Sequence, residues 1–306
     1  MPLCEKLVSV IIPTFNRPEL LRNAIFSAIS QTYKNIEVIV IDDASTEDNS
    51  GVIDTFENKT ISYIRLDSSK GANYARNLGV SVSKGDYIAF LDDDDEWLES
   101  KIESQLNLIE EDPDIGLVYT GARVVDLSCD NEYFIYPKEV GDLSNKILIS
   151  NYIGTTSSVL MKKSIFDQVL GFDELMPQLQ DYDLWIRVSQ VTKIGAISTP
   201  LINYYIHRST TQITSSVEKN KESIEIIDRK YARLIHRLPK KLQKFRYGQR
   251  YNAMGKRILK SGDKKGARKL FVKSFLYHPN LKSLKFYIVS FLNYSFVINV
   301  KNKFFN

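Results

Sequence analysis

Cysteine, histidine and long apolar runs are all scarce in this chain, and each scarcity removes a class of function. Only Cys4 and Cys129 occur among the 306 residues. They match neither a metal nor a redox spacing, so a reduced, cytosolic setting is expected. The three histidines, His207, His236 and His278, stand in no motif with a serine, which argues against a hydrolase triad. No stretch reaches the ~20 apolar residues that a spanning helix requires. The apolar run 7–12 has no basic segment before it and stops at Pro13, so it does not read as a signal peptide. Phosphate-binding glycine loops are missing too: neither G-x-G-x-x-G nor G-x-x-x-x-G-K-[ST] is present. Any bound phosphate must therefore be held by a cation rather than by a glycine cradle.

What the chain does have is charge, unevenly placed. Residues 1–217 carry 18 Lys and Arg against 32 Asp and Glu, whereas residues 218–306 carry 23 against 5. The overall +4 conceals this division. An acidic part suits a metal; a basic part suits an anionic membrane or nucleic acid. A Ser- and Thr-rich stretch, 209–216, is the expected boundary between domains 1–215 and 216–306.

Within the acidic part, strand and helix signals alternate. Strands are expected at 7–12, 36–41, 61–64 and 87–91. Helices are expected from Pro18, from Asp48 to Phe56 and from Gly71 to Val82. Further strands are expected at 115–119, 157–161, 194–197 and 201–205, with a short helix at 164–169 and continuous helix signals after Val217. The strands are apolar throughout rather than alternating, which predicts a mostly parallel sheet covered by helices on both faces. Two strands end in acid: the second in Asp42-Asp43, the fourth in Asp92-Asp93-Asp94-Asp95-Glu96. In a parallel sheet both clusters fall at one edge, where ligands bind. Adjacent carboxylates repel, so the run calls for a cation among its oxygens. The alternative is a solvated turn capping a helix that begins near Trp97. Divalent Mg²⁺ and Mn²⁺ prefer carboxylates together with substrate phosphates.

Four stretches carry a resemblance. They are residues 9–17 (SVIIPTFNR), 31–46 (QTYKNIEVIVIDDAST), 75–79 (ARNLG) and 85–95 (GDYIAFLDDDD). Together they resemble the family 2 inverting glycosyltransferases of the GT-A fold, over roughly residues 7–207. The resemblance implies a nucleotide-sugar donor, most naturally a UDP-sugar, and Mn²⁺ or Mg²⁺ as cofactor. It implies transfer of a hexosyl or N-acetylhexosaminyl group to a glycan or lipid-linked acceptor in surface polysaccharide synthesis. By the same resemblance Pro13, Thr14, Phe15, Arg17, Asp43, Arg76, Asn77, Asp92 and Asp93 belong to the donor site. Asp94 is the expected metal ligand, with His207 a phosphate or metal contact. A register of Asp93 and Asp95 for the metal pair stays open. The alternatives are a nucleotidyltransferase, which would need more basic residues near the first strand than Arg17, and a nucleic-acid-binding protein using the basic tail. No aromatic-basic motif supports the latter.

A second site is expected on the helix 180–188. There Asp181, Leu184, Trp185 and Val188 share one face. Asp183 and Arg187 pair at i, i+4 on another side, with Asp183 expected toward solvent. A carboxylate held against apolar neighbours has a raised pKa, which suits a general base; a mere helix cap is the plain alternative. The family places its base at the Asp of an E-D pair here, so Asp181 inherits that role, although Gln180 stands in place of the Glu. Thr155, Thr156, Ser157 and Ser158 are either acceptor contacts or a polar strand edge. Residues 286–300 form an apolar segment among lysines, either a core helix or one lying on the cytoplasmic face of a membrane.

Overall fold

The computed structural model describes residues 6–47, 49–56, 60–127, 131–206 and 216–291. The chain divides into two compact units, one of residues 1–147 and 151–213, the other of residues 148–150 and 214–306. Cys4, Cys129, His207 and Asp48 lie outside the described residues, as does most of the expected boundary stretch.

The first unit begins with β1 (Val8–Thr14), α1 (Pro18–Ile29), β2 (Ile36–Asp42), α2 (Ser50–Asp54), β3 (Ile61–Arg65), α3 (Ala72–Val82) and β4 (Tyr87–Phe90). These four strands pair in parallel, in the order β3-β2-β1-β4. β1 and β4 are buried along their whole length, because helices cover both faces and leave no side of the strand for polar residues. Pro18 starts α1, where its missing N–H costs nothing. α3 lies directly on the sheet at Gly79, where a Cβ would stand 2.4 Å from Ile11 Cγ2.

Beyond β4 the sheet becomes mixed. It continues through β5 (Asp95–Trp97), α4 (Lys101–Glu111), β6 (Ile115–Asp126), β7 (Asn131–Ile135), β8 (Val159–Lys162), α5 (Lys163–Gln168), α6 (Gln180–Val188) and β9 (Lys193–Ile206). β8 runs antiparallel to both β4 and β6, while β6 and β9 run parallel from Ile115 opposite Lys193 to Asp126 opposite Ile206. Trp97 does not start a helix. Asp95–Trp97 pairs antiparallel with Ile202, Asn203 and Tyr204, and α4 begins four residues after Trp97. The strand pairing lets Asp95 and Trp97 both point inward, which one helical turn would not allow. Residues 156–158 form a 3₁₀ turn rather than the start of a strand.

The second unit is helical: α7 (Val217–Lys230), α8 (Ala232–Arg237), α9 (Lys240–Lys260), α10 (Lys264–Tyr277) and α11 (Leu281–Val289). Leu259, Ala267 and Phe271 form its apolar centre, with Phe286, Tyr287 and Val289 packed against them. Arg246 is buried and donates to the Leu148 carbonyl at 2.7 Å and to Asp228 at 2.5 Å. Among the described residues, no helix is long and apolar enough to cross a membrane.

Candidate active site

The carboxyl ends of β1, β2 and β4 converge, and each delivers a polar side chain. Thr14 closes β1 and donates through Oγ1 to Asp93 Oδ2 at 2.8 Å. Asn16 follows in the left-handed region, at φ 54°. Its Oδ1 accepts from the Thr46 N–H at 2.7 Å and its own N–H donates to Ser45 Oγ at 2.8 Å, which repays the strained backbone. This turn sets Arg17, whose Nη1 lies 3.0 Å from both Asp93 Oδ1 and Asp94 Oδ2. Phe15 is half exposed beside it.

The two acids that end β2 differ. Burial works against the charge of Asp42, but bonds from Ser45, Tyr63 and Asn49 outweigh it and hold the carboxyl below its usual range. Asp42 therefore braces the loop. Asp43 accepts from Ser69 Oγ at 2.6 Å and from the N–H groups of Lys70 and Gly71 at 2.6 and 2.9 Å. It fixes the loop that enters α3.

The four aspartates after β4 split into two pairs. The side chains of Asp92 and Asp94 retain 26% and 16% exposure, against 8% for Asp93; Asp95 is almost fully buried. Asp92 receives Arg76 Nη2 at 2.5 Å and Thr156 Oγ1 at 3.1 Å. Asp93 is pushed up to about 6, by burial first and by the charge of Asp94, with Arg17 opposing. Asp95 accepts from Ser157 Oγ at 2.5 Å. Burial, then the charges of Asp92 and Asp94, hold its carboxyl well above the ordinary range. Its Oδ1 has no hydrogen-bond partner among the described residues. The buried Arg76 likewise leaves Nε and Nη1 unpartnered, and its guanidinium lies 5.4 Å from the Phe172 ring centroid.

Asp181 stands in the first turn of α6, after Leu179 in a left-handed conformation (φ 58°). Asn151 Nδ2 donates to its Oδ2 at 3.2 Å. Its carboxyl is pushed up to about 6, chiefly by burial and further by the charge of Asp92; the Tyr182 N–H and the Arg76 charge oppose the shift. Asp181, Asp92 and Arg76 thus share one electrostatic environment.

One expectation needs correction. Asp183 is not on the solvent side: its side chain is 0% exposed and pairs with Arg187 at 2.8 Å. Arg187 also donates to the carbonyls of Val169 and, at 2.6 Å, Gly171. Asp183 is buried among Tyr182, Leu184, Trp185 and Ile186, so its carboxylate meets Arg187 as an ion pair instead of facing water. Asn77 Nδ2 donates to Glu174 Oε1 at 2.9 Å. Its amide binds the Phe172 carbonyl and N–H at 2.9 and 2.8 Å, which ties α3 to the segment before α6.

Three further residues escaped the sequence reading. Trp97, Lys101 and Gln105 follow at intervals of four and grip three successive carbonyls. Trp97 Nε1 donates to Ser157 O at 2.9 Å, Gln105 Nε2 to Ser158 O at 3.0 Å and Lys101 Nζ to Val159 O at 3.3 Å. Lys101 is fully buried over the Trp97 ring, 4.0 Å from its centroid, and desolvation drives its pKa well below the usual value. The gripped segment carries Thr156 and Ser157, the partners of Asp92 and Asp95. The spacing of these three side chains was the available signal, but nothing local says what they grip.

The donor chemistry fits a hard divalent cation. Asp92 and Asp94 are the more exposed carboxylates, paired with Arg76 and Arg17, and the buried Asp95 Oδ1 has no hydrogen-bond partner among the described residues. Among the described residues, no cluster of three His, Cys, Asp or Glu could enclose a metal. A cation here would complete its shell from phosphate oxygens and water, as Mg²⁺ and Mn²⁺ commonly do.

Comparison with known proteins agrees with this architecture. Residues 9–170 match the model of glycosyl transferase family 2. An uncharacterized glycosyltransferase of Haemophilus influenzae is 29% identical over 232 residues, 75% of this chain and 78% of that protein. The Escherichia coli UDP-Glc:alpha-D-GlcNAc-diphosphoundecaprenol beta-1,3-glucosyltransferase WfaP is 32% identical over 200 residues, 65% of this chain and 76% of that one. The crystal structure of S. aureus TarS 1–349 superposes with a TM-score of 0.62 at 17% identity, covering 93% of this chain and 90% of that one, which is a likeness of fold. With strand order, acidic cleft and family match in accord, the chain belongs to the family 2 glycosyltransferases and has their GT-A fold.

Proposed function

We propose that this glycosyltransferase moves a hexosyl or N-acetylhexosaminyl group from a UDP-sugar to a hydroxyl of a lipid-linked glycan, with inversion at the anomeric carbon. The observation that carries the reading is the pairing of Asp181, raised to about 6, with the acidic run across a shared environment. A carboxyl near 6 is ionised at neutral pH yet basic enough to accept a proton. Asp181 takes the acceptor hydroxyl's proton as that oxygen attacks the anomeric carbon, and the UDP leaves on the opposite side. Asp92 and Asp94 would hold Mn²⁺ or Mg²⁺, which supplies charge stabilisation to the leaving diphosphate. Arg76, paired with Asp92, adds a fixed positive charge beside Asp181. Asp43 and Phe15 would border the nucleoside. Gln180, in place of the family's acid, leaves Asp181 as the single carboxylate of its pair.

Relatives support the donor and acceptor classes. WfaP is named for UDP-Glc and a diphosphoundecaprenol-linked sugar. TarS has been crystallised with UDP and with UDP-GlcNAc. On a lipid-linked acceptor the enzyme would work as a peripheral protein at the cytoplasmic face of the membrane. A panel of UDP-sugars, assayed for UDP release with Mn²⁺ and then with a lipid-diphosphate-linked acceptor, tests the reading. Asp94→Asn should abolish metal-dependent donor binding in calorimetry; undiminished binding would move the metal site elsewhere.

A further inference from the structure

The second unit carries a surface that the transfer chemistry does not use. α10 turns Ala267, Phe271 and Ser274 inward. Beside that buried stripe runs a second apolar one, open to solvent. Val272, Leu276, Leu281, Leu284, Ile288 and Phe291 are between 43% and 83% exposed. On α11, Leu281, Leu284 and Ile288 recur at i, i+3 and i+7, and Phe291 continues the line. On α10, Arg268, Val272 and Leu276 recur every fourth residue. The Arg268 guanidinium lies 4.4 Å from the Phe291 ring centroid, and Phe271 stacks on Phe286. The two stripes therefore lie side by side on a helical hairpin and form one face.

Exposed lysines edge that face: Lys269 and Lys273 on α10, Lys282 and Lys285 on α11. Between residues 264 and 291 there is no acid. A contiguous exposed apolar patch on a water-soluble surface marks an interaction site. One ringed by lysines matches a single environment well, the boundary between anionic headgroups and acyl chains. We infer that the α10–α11 hairpin docks flat on an anionic lipid bilayer. The inference rests on the proposed lipid-linked acceptor for its biological sense, and its chemistry stands on the hairpin alone. It moves the expected contact from residues 286–300, most of which lie outside the described residues, to a face built by both helices.

The test uses the full chain and vesicles with no sugar present. Vesicles of phosphatidylethanolamine and phosphatidylglycerol should carry the protein to the top of a flotation gradient. Pure phosphatidylcholine vesicles should retain at least tenfold less. The double substitution Leu284→Glu, Ile288→Glu should weaken vesicle binding tenfold or more with an unchanged melting temperature. Lys282→Glu, Lys285→Glu should weaken it and lessen its salt dependence. Parent protein left at the bottom with anionic vesicles would overturn the inference. So would apolar-face variants that float like the parent, or that instead split an oligomer in light scattering, which would make the face a contact between copies. Transfer to a water-soluble acceptor analogue is assayed in parallel. Transfer without flotation removes the docking alone; flotation without transfer removes the proposed reaction alone.

Discussion

Replacing Asp181 with asparagine removes the charge and keeps the shape. Asn151 Nδ2 donates to Oδ2 at 3.2 Å, and an asparagine oxygen still accepts that bond. The fold should hold while the base is lost. Loss of a general base costs about 10²–10⁴ in turnover, which is roughly 3–5 kcal/mol of barrier. Stability should move the other way. The gap between an ordinary 3.8 and about 6 is worth at most about 3 kcal/mol. The partial exposure of this side chain reduces that to on the order of 1–2 kcal/mol. The folded carboxyl holds its proton more tightly than the unfolded one, so ionisation opposes folding. That opposition is absent below about pH 4 and complete above about pH 6. The Asn variant should therefore melt higher than the parent at about pH 8, and the lead should vanish near pH 4. Parent turnover should fall about tenfold per pH unit below about 6, because the protonated acid cannot accept. UDP release at saturating donor and acceptor, followed across pH with calorimetric melting in the same buffers, reads both effects. A loss of turnover under about tenfold would refute the base assignment.

Two other expectations concern support rather than chemistry. Trp97→Phe keeps the ring beneath Lys101 but orphans the Ser157 carbonyl, at about 1–3 kcal/mol. Because Ser157 Oγ also meets the Asp92 N–H and Asp95, kcat/KM for the donor should drop about tenfold, and a value within twofold of the parent would refute the coupling. Asp183→Asn leaves Arg187 without its buried counter-ion, so the urea midpoint should fall by an amount equivalent to about 3 kcal/mol. An unmoved midpoint would show that the Val169 and Gly171 carbonyls suffice for Arg187.

The parallel half of the fold was legible because its signals are local. Apolar strands, Pro18 at the start of α1 and the acids at two strand ends each depend on a few neighbouring residues. The apolar face of α6, with Leu184, Trp185 and Val188 buried, was legible for the same reason, since it follows from the 3.6-residue period. The segment after β4 was not. Whether 95–97 extends or coils depends on β9, a hundred residues away, offering Ile202–Tyr204 as a partner. Helical periodicity correctly paired Asp183 with Arg187 but assumed that Asp183 faces water, and only tertiary packing buried its carboxylate.

Sequence alone determined the family, the acidic cleft and the division of charge between the two ends of the chain. Tertiary structure decided which acids stay accessible. Four aspartates in succession are chemically equivalent until Thr14 takes Asp93, Ser157 takes Asp95, Arg76 and Thr156 take Asp92, and Arg17 bridges Asp93 and Asp94. Those partners come from β1, α3 and a 3₁₀ turn far apart along the chain, and only folding brings their charges and hydroxyls within bonding distance.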